Sequence, residues 1–265
     1  MRLATWNVNS LKARLERVLA WTERQQPDIL CLQETKLTDE AVPLIDFAAL
    51  GYEVAHHGRG TWNGVAIASK VGLEVIQAGL PDQDGWTDEG GRFLAAVCGG
   101  VRVASVYVPN GRVVGSEFYD AKLAWLDALY VWLRGNNAAS DPLALCGDFN
   151  VAPTDEDVWD PAAVHGATHV SEPERDRVRR LVGWGLVDVL RSFHPEPGFF
   201  TWWDYRAGHF HKNFGMRIDH VLVTEPLAAR AVAAERDRDA RKPSTYPGIP
   251  SDHAPLVVDF KNQPR

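Results

Sequence analysis

Asp148 and Asn150 stand two positions apart where an apolar run, Leu143-Ala144-Leu145-Cys146, breaks off in Gly147-Asp148-Phe149-Asn150. Alternation along an extended segment sends the carboxylate and the amide into one crevice, while Phe149 packs the other way into the core. An aspartate so placed can take a proton from water, and an asparagine beside it can hold that water or a reacting oxygen. Taken alone, Gly-Asp-x-Asn is better explained as a strand ending in a side-chain-bonded turn. The residues elsewhere in the chain change that balance.

Asn7, Glu34, Tyr107, Asp219 and the pair Asp252-His253 also lie at the ends of separate apolar runs. If two sheets face one another, these ends converge at one rim. Carboxylates and amides with few histidines and no paired cysteines form a hard oxygen site, better suited to Mg²⁺ or Mn²⁺ than to zinc. A divalent ion on Glu34 neutralises a phosphate oxygen and stabilises a leaving alkoxide while Asp148 prepares water for in-line attack. Asp219 can accept from one nitrogen of His253, fix its tautomer and raise its pKa, leaving the other nitrogen for the phosphate. Together these parts make a phosphoester hydrolase. Each has a duller explanation: Glu34 and Lys36 as a solvated strand end, Tyr107 as a core aromatic, Asp252 as a cap before Pro255. Their joint placement carries the argument.

The elements that must position them can be read from periodicity. A strand over 1–9 is followed by an amphipathic helix on Leu11, Leu15, Val18, Leu19 and Thr22 that ends before Pro27, then by a buried strand over 28–33. A short helix over 40–50 precedes alternating strands over 52–57, 64–69, 73–77, 92–98 and 101–108, with a polar loop over 80–91. The spacing predicts a helix over 117–134 with an apolar face of Phe118, Leu123, Leu126, Leu129, Tyr130 and Leu133. Ser171-Glu172-Pro173-Glu174 is a capping box opening a helix to about Gly183, and the mixed charges from Glu172 to Arg180 read as its exposed face. Further strands are expected over 217–224, 228–235 and 256–260. No linker interrupts the pattern, so residues 1–265 read as a single domain of two similar halves, an α/β (α+β) chain with two packed mixed sheets and helices outside.

A net charge of −7 and a pI near 5.7 exclude a protein that grips polyanions by its overall field, so nucleic-acid binding would need a local basic patch or bound cations. Cys31, Cys98 and Cys146 sit in apolar runs with no C-x-x-C pair and read as buried thiols of a reducing compartment. His56 and His57 point to opposite faces of a strand and do not form a metal pair. Without an apolar leader or a run long enough to span a bilayer, the reading is a soluble cytoplasmic protein with no membrane contact. Without heptads, it is a monomer.

Trp6-Asn7-Val8-Asn9, Leu32-Gln33-Glu34-Thr35-Lys36, Tyr107-Val108-Pro109-Asn110, Gly147-Asp148-Phe149-Asn150-Val151-Ala152-Pro153, Arg217-Ile218-Asp219-His220 and Ser251-Asp252-His253 follow one another in a telling order. Over essentially its whole length the chain resembles the exonuclease III type apurinic/apyrimidinic (AP) endonucleases of the endonuclease/exonuclease/phosphatase superfamily. Trp184-Gly185-Leu186-Val187-Asp188 and the stretch from Phe200 to Arg206 point to the DNA-repair branch. The resemblance implies a four-layer αββα sandwich, DNase I-like, with the site at one rim. It implies a Mg²⁺-dependent nuclease of base excision repair, with Mn²⁺ as a substitute ion. Its substrate would be double-stranded DNA, cut 5′ to abasic sites and trimmed at 3′ ends by exonuclease and phosphatase activity.

Carried over residue by residue, Glu34 would be the principal metal ligand with Asn7 nearby, and Asp252 would lie beside the metal. Asp148 and Asn150 would orient the nucleophile, Tyr107 would lie against the phosphate, and His253, buttressed by Asp219, would contact it. Either Asp148 or His253 would be the general base. Asn110, Arg92 and Lys212 would be phosphate contacts, and Trp202 with Met216 and Ile218 would form a small apolar pocket for a flipped-out abasic sugar. Arg206, His209, His211, Lys212 and Arg217 would make a DNA-facing basic loop. Ser10 stands where most relatives have Gly, Asn9 where some have Asp, and the stretch from Asn110 to Ser116 is short. Two competing readings keep the fold: a hydrolase of small-molecule or lipid phosphoesters, and a DNA-end binding module without turnover.

Overall fold

The computed structural model describes residues 1–82, 87–88 and 90–261; part of the polar loop expected over 80–91 lies outside the described residues. The first run of elements is β1 (Arg2–Asn7), α1 (Leu11–Gln25), β2 (Ile29–Gln33), α2 (Leu44–Ala49), β3 (Glu53–His57) and β4 (Val65–Ser69). The middle run is β5 (Glu74–Ala78), β6 (Phe93–Cys98), β7 (Val101–Tyr107), α3 (Glu117–Asn136), β8 (Leu143–Asp148), α4 (Glu172–Gly183), β9 (Leu186–Asp188), α5 (Val189–Phe193), α6 (His209–Lys212) and β10 (Asp219–Thr224). The chain returns through α7 (Glu225–Ala228) and β11 (Ala231–Arg236) to β12 (Leu256–Phe260). The strand expected over 228–235 is therefore displaced by a short helix that Pro226 opens, and begins at Ala231.

Two six-stranded sheets result, ordered β11-β12-β1-β2-β4-β3 and β5-β6-β7-β8-β10-β9. In each, the central pair (β1 with β2, β7 with β8) is parallel and every other described pair is antiparallel. The same order and senses recur in both sheets, with α1 and α3 making the equivalent crossovers.

Period-two alternation gives each strand one side for the neighbouring sheet and one for the helices. Leu3, Ile29, Cys31, Ile67, Leu94, Val103, Cys146, Val221 and Val258 fill the layer between the sheets. Trp6, Val18, Trp21, Leu30 and Phe47 pack beneath α1 and α2, and Trp125, Leu129, Trp132, Leu145 and Leu181 beneath α3 and α4. The layers are therefore helix, sheet, sheet, helix. All three cysteines are buried, free and held in the inter-sheet layer. No helix among the described residues is long and apolar enough to cross a membrane.

Two expected helix faces turn out differently. In α3 the buried stripe is Tyr119, Lys122, Trp125, Leu126, Ala128, Leu129, Trp132 and Leu133, and Phe118 is 50% exposed. The helix turns so that both tryptophans reach the sheet, which carries Lys122 inward. Glu174 makes this possible. Its capping box with Ser171 forms as expected, but its carboxylate is buried against the Lys122 ammonium, so the stretch from 172 to 180 is not wholly an exposed face.

Register sets the rim. Alternation that buries Leu3 and Thr5 brings Asn7 inward at the end of β1, and in the second sheet Tyr107 pairs with Asp148, which pairs with Asp219. Gly147 has φ 142°, and a Cβ there would lie 2.0 Å from the Val106 carbonyl oxygen, so no other residue lets β8 reach Asp148 in this path.

Behind the rim, Arg217 is buried between Asp157 (2.6 Å) and Asp188 (2.6 Å), and Arg191 also pairs with Asp157. Its Nη1 donates to His220 Nδ1 at 3.1 Å, which leaves His220 Nε2–H to donate to the Val151 carbonyl at 2.8 Å. Arg217 is thus a structural cation and not part of a DNA-facing loop. Burial acts against ionisation of Asp157, but Arg217 and Arg191 outweigh it and hold the carboxyl at about 2. A carboxyl pKa depressed by folding contributes stability that is present above its unfolded value and lost as pH falls through the folded one. Urea unfolding between pH 4 and pH 2 should therefore show about 2 kcal/mol of stability disappearing from this group. Asp157→Asn should lose about 3 kcal/mol or more at pH 7, because it leaves Arg217 short of a buried partner.

Candidate active site

At the rim, one amide joins the two sheets. Asn7 Nδ2 donates to Glu34 Oε1 at 2.9 Å and to Asp148 Oδ2 at 2.8 Å, while its oxygen accepts the Asn9 N–H at 2.9 Å. Asp148 Oδ1 accepts the backbone N–H of Asn150 at 2.8 Å. Asn150 in turn spreads its side-chain amide between the Val108 carbonyl (2.9 Å) and Asp148 Oδ2 (3.3 Å), and its oxygen accepts from Asn110 at 3.3 Å.

His253 arrives on the loop before β12. Ser251 fixes that loop by donating to the Asn7 carbonyl at 2.7 Å and accepting the His253 N–H at 3.2 Å; Trp6 Nε1 donates to the His253 carbonyl at 3.1 Å. His253 Nδ1 then donates to Asp219 at 2.9 Å and its Nε2 stands 3.8 Å from Asp148 Oδ2. Thr201 Oγ1 holds the neighbouring strand by accepting from Ile218 N (3.1 Å) and Asp219 N (3.2 Å).

The electrostatics follow from burial. Asp148 is 1% exposed, and desolvation together with the Asp219 charge pushes its carboxyl up to about 7, against the opposing pull of His253. Burial alone would lower His253, but Asp219 and Asp148 outweigh it and hold the imidazolium to about 10. Burial and the Glu34 carboxylate push the Tyr107 hydroxyl well above the usual phenol range. The rim thus favours a positively charged His253 beside an Asp148 carboxyl whose hold on a proton is strengthened.

One atom each of Glu34, Asp148 and His253 lies within 4.8 Å of the others; with His253 protonated, the carboxylate side of this cluster, at Glu34, is the part that fits a metal ion. Two expected metal residues stand beside this cluster. Asn7 meets it with its amide nitrogen, and the oxygens of Asp252 accept from Asn9 Nδ2 (3.0 Å) and Trp202 Nε1 (3.0 Å). Lys36 lies 3.1 Å from Glu34 Oε2 and donates to Asn9 Oδ1 at 2.6 Å, so it is part of the rim and not a solvated strand end.

The other expected residues flank the cluster. Arg92 stacks 4.6 Å above the Tyr107 ring and donates to the Tyr107 carbonyl at 3.3 Å. Arg92, Tyr107 and Asn110 line a cleft of about 570 Å³ with Glu34, Lys36 and Trp62. On the His253 side, Trp202, Met216 and Ile218 come together with Ala152 and Val158 in an apolar wall. Lys212 is exposed on α6, 5.8 Å from the Phe214 ring, and the structure does not bring it to the cluster. Sequence reasoning missed His169, whose Nδ1 donates to the Asn150 carbonyl at 2.6 Å, and Thr201; neither carries a periodic signal.

The backbone here is held in an uncommon conformation. Asn9, Ser10, Glu34, Lys36 and Asn150 have φ values of 44°, 89°, 51°, 54° and 51°. Left-handed non-glycine residues cost about 1–3 kcal/mol each and persist where surroundings over-determine them. The 2.7 Å bond from Ser10 N to the Glu34 carbonyl and the 2.8 Å bond from Lys36 N to the Asn63 carbonyl do so here.

Comparison with known proteins agrees with this geometry. Residues 4–253 match the model of the Endonuclease/Exonuclease/phosphatase family. The chain belongs to this family. It is 34% identical to exodeoxyribonuclease III of Haemophilus influenzae over 98% of this chain and 100% of that one. Among solved structures, an AP endonuclease from Archaeoglobus fulgidus superposes with a TM-score of 0.92 at 38% identity, covering 99% of this chain and 100% of the other. A Neisseria 3′ phosphatase bound to a product DNA hairpin superposes with a TM-score of 0.91 at 38% identity, covering 98% and 99%. The fold is therefore the four-layer, DNase I-like sandwich of the family, and the chain is a hydrolase of the exodeoxyribonuclease III type.

Asp148→Asn should lower the rate on a 3′-recessed duplex by about 10³-fold or more, while fluorescence anisotropy shows the DNA still bound. Cleavage by the variant at the parent rate would remove Asp148 from its assigned place.

Proposed function

We propose that this family member is a Mg²⁺-dependent DNA-repair nuclease that hydrolyses the phosphodiester 5′ to abasic sites in duplex DNA and also acts on 3′ ends. The observation that carries the reading is the buried His253, flanked by Asp219 and Asp148, beside Asn150 and the Glu34 carboxylate. Glu34 would hold the ion, which, when bound, supplies positive charge to the phosphate and the leaving oxygen. Asp148 accepts the proton of the attacking water, because the carboxylates on either side keep His253 protonated. His253 directs its Nε2–H at the phosphate, and the Asn150 amide fixes the carboxylate and the water. Arg92, Asn110 and Lys212 contact backbone phosphates, and Tyr107 lies against the reacting one. The apolar wall of Trp202, Met216 and Ile218 receives a sugar without its base.

The same reading takes the chain as one domain acting as a cytoplasmic monomer. The repeated strand order of the two sheets supports the single domain. An enzyme that neutralises phosphate locally does not need a basic field overall.

The test is a labelled duplex with one abasic analogue, beside undamaged duplexes with a 3′ recess and with a 3′ phosphate, each in Mg²⁺ and in chelator. Metal-dependent incision 5′ to the analogue is expected, with slower trimming of the recessed end. Glu34→Ala should raise the Mg²⁺ concentration for half-maximal rate about tenfold or more. Absence of cleavage on all three duplexes, with phosphate released from a small phosphoester instead, would overturn the DNA reading.

A further inference from the structure

On the side of Asn150 away from the cleft, a lysine is buried without water contact. Lys122 of α3 has a side chain 0% exposed, and so does its partner Glu174 of α4. Its ammonium donates to the Asn150 carbonyl at 2.7 Å, the Asn110 carbonyl at 3.3 Å, Thr168 Oγ1 at 3.5 Å and the Glu174 carboxylate. Glu174 is filled in turn by Thr168 Oγ1 (3.0 Å), His169 N (3.0 Å), Ser171 N (3.1 Å) and the Ser171 hydroxyl. Gly111 leaves room for the lysine, since a Cβ there would lie 2.8 Å from its side chain.

A buried ion pair is rarely the most stable filling for such a space, because an apolar residue of similar volume avoids the desolvation of two charges. A methionine on the same buried face of α3 would serve packing as well. What it would not do is bind two carbonyls, and those carbonyls belong to Asn110 and Asn150, whose side-chain amides meet at the cleft. Asn150 is left-handed at φ 51°, and its carbonyl collects both Lys122 and His169 Nδ1. Pinning that carbonyl sets the turn that delivers the Asn150 amide to Asp148.

We infer that Lys122 is a positioning residue for the hydrolytic reaction, its ammonium fixing the backbone of Asn150 and Asn110 so that both amides face the reacting phosphodiester. This rests on the reading that those amides serve the phosphate; Lys122 itself touches no substrate.

The test removes both charges together, Lys122→Met with Glu174→Gln, so that no carboxylate is stranded. The double variant should melt below the parent chain, because glutamine offers one acceptor oxygen where the four donors on Glu174 met two. At a temperature where it stays folded, its kcat on the 3′-recessed duplex should fall about 10- to 100-fold with KM within about threefold. In an Asn150→Ala background the same pair of changes should cost nothing more, because residues acting as one unit are non-additive. A crystal structure of the double variant should show Asn150 out of the left-handed region or its amide withdrawn from Asp148. An unchanged kcat, an equal loss in both backgrounds, or an unmoved Asn150 would each overturn the inference. If the double variant does not fold, Lys122→Met alone takes its place, since Glu174 keeps its donors from Thr168, His169 and Ser171; the same loss of kcat is expected, and an unchanged kcat overturns the inference. If the parent chain cuts none of the DNA substrates, the functional reading is what fails, and the crystal structure still judges Lys122.

Discussion

Two carboxylates on adjacent strands cannot both be charged in a dry layer unless a cation stands between them. Asp148 and Asp219 are cross-strand partners, 1% and 2% exposed, and His253 is that cation. Like charges directly opposite in a sheet are repulsive, and here the repulsion is converted into an attraction that draws the loop before β12 onto the other sheet. The contact that makes the rim reactive is therefore also the one that closes it. Without either carboxylate the imidazole has less reason to stay charged.

A second polar seam lies just below. Gln33 Nε2 donates to Thr5 Oγ1 at 2.9 Å and Ser105 Oγ at 3.0 Å, and Ser105 donates to the Leu32 carbonyl at 3.3 Å, so the sheets are hydrogen-bonded to one another immediately under Asn7. Apolar layers slide with little preference, whereas a satisfied polar network admits one alignment. The seam gives the rim a floor in fixed register, and the left-handed residues around it show how firmly the backbone is held. Chemistry that needs several groups to agree within fractions of an ångström is built on that kind of support.

Much of this was legible in the sequence, for a definite reason. Asn7, Tyr107, Asp148 and Asp219 lie on strands, and alternation fixes which way a strand residue points once the apolar residues before it are buried. Trp202, Met216 and Ile218 were grouped through the family resemblance alone, since nothing in their spacing says that they meet. Arg217 was misread, because a charged residue in a loop-rich stretch looks solvent-facing until Asp157 and Asp188, distant in sequence, are seen to enclose it. The α3 face was misjudged because Phe118 and Tyr119 are neighbours and either could have led the stripe. Lys122, three residues on from Tyr119 and three before Trp125, was the clue to the second choice. Lys212 was legible only by its charge, and charge alone does not say where a side chain is anchored.

The three cysteines carry a consequence of another kind. Cys31, Cys98 and Cys146 all project into the layer between the sheets, with no exposure and no disulfide among them. A thiol reagent can reach them only when the two sheets part, so the rate of alkylation is a clock for sub-global opening of the sandwich. Three positions spread over β2, β6 and β8 sample both sheets at once. The native chain therefore carries its own internal reporter of whether the halves breathe together or one before the other.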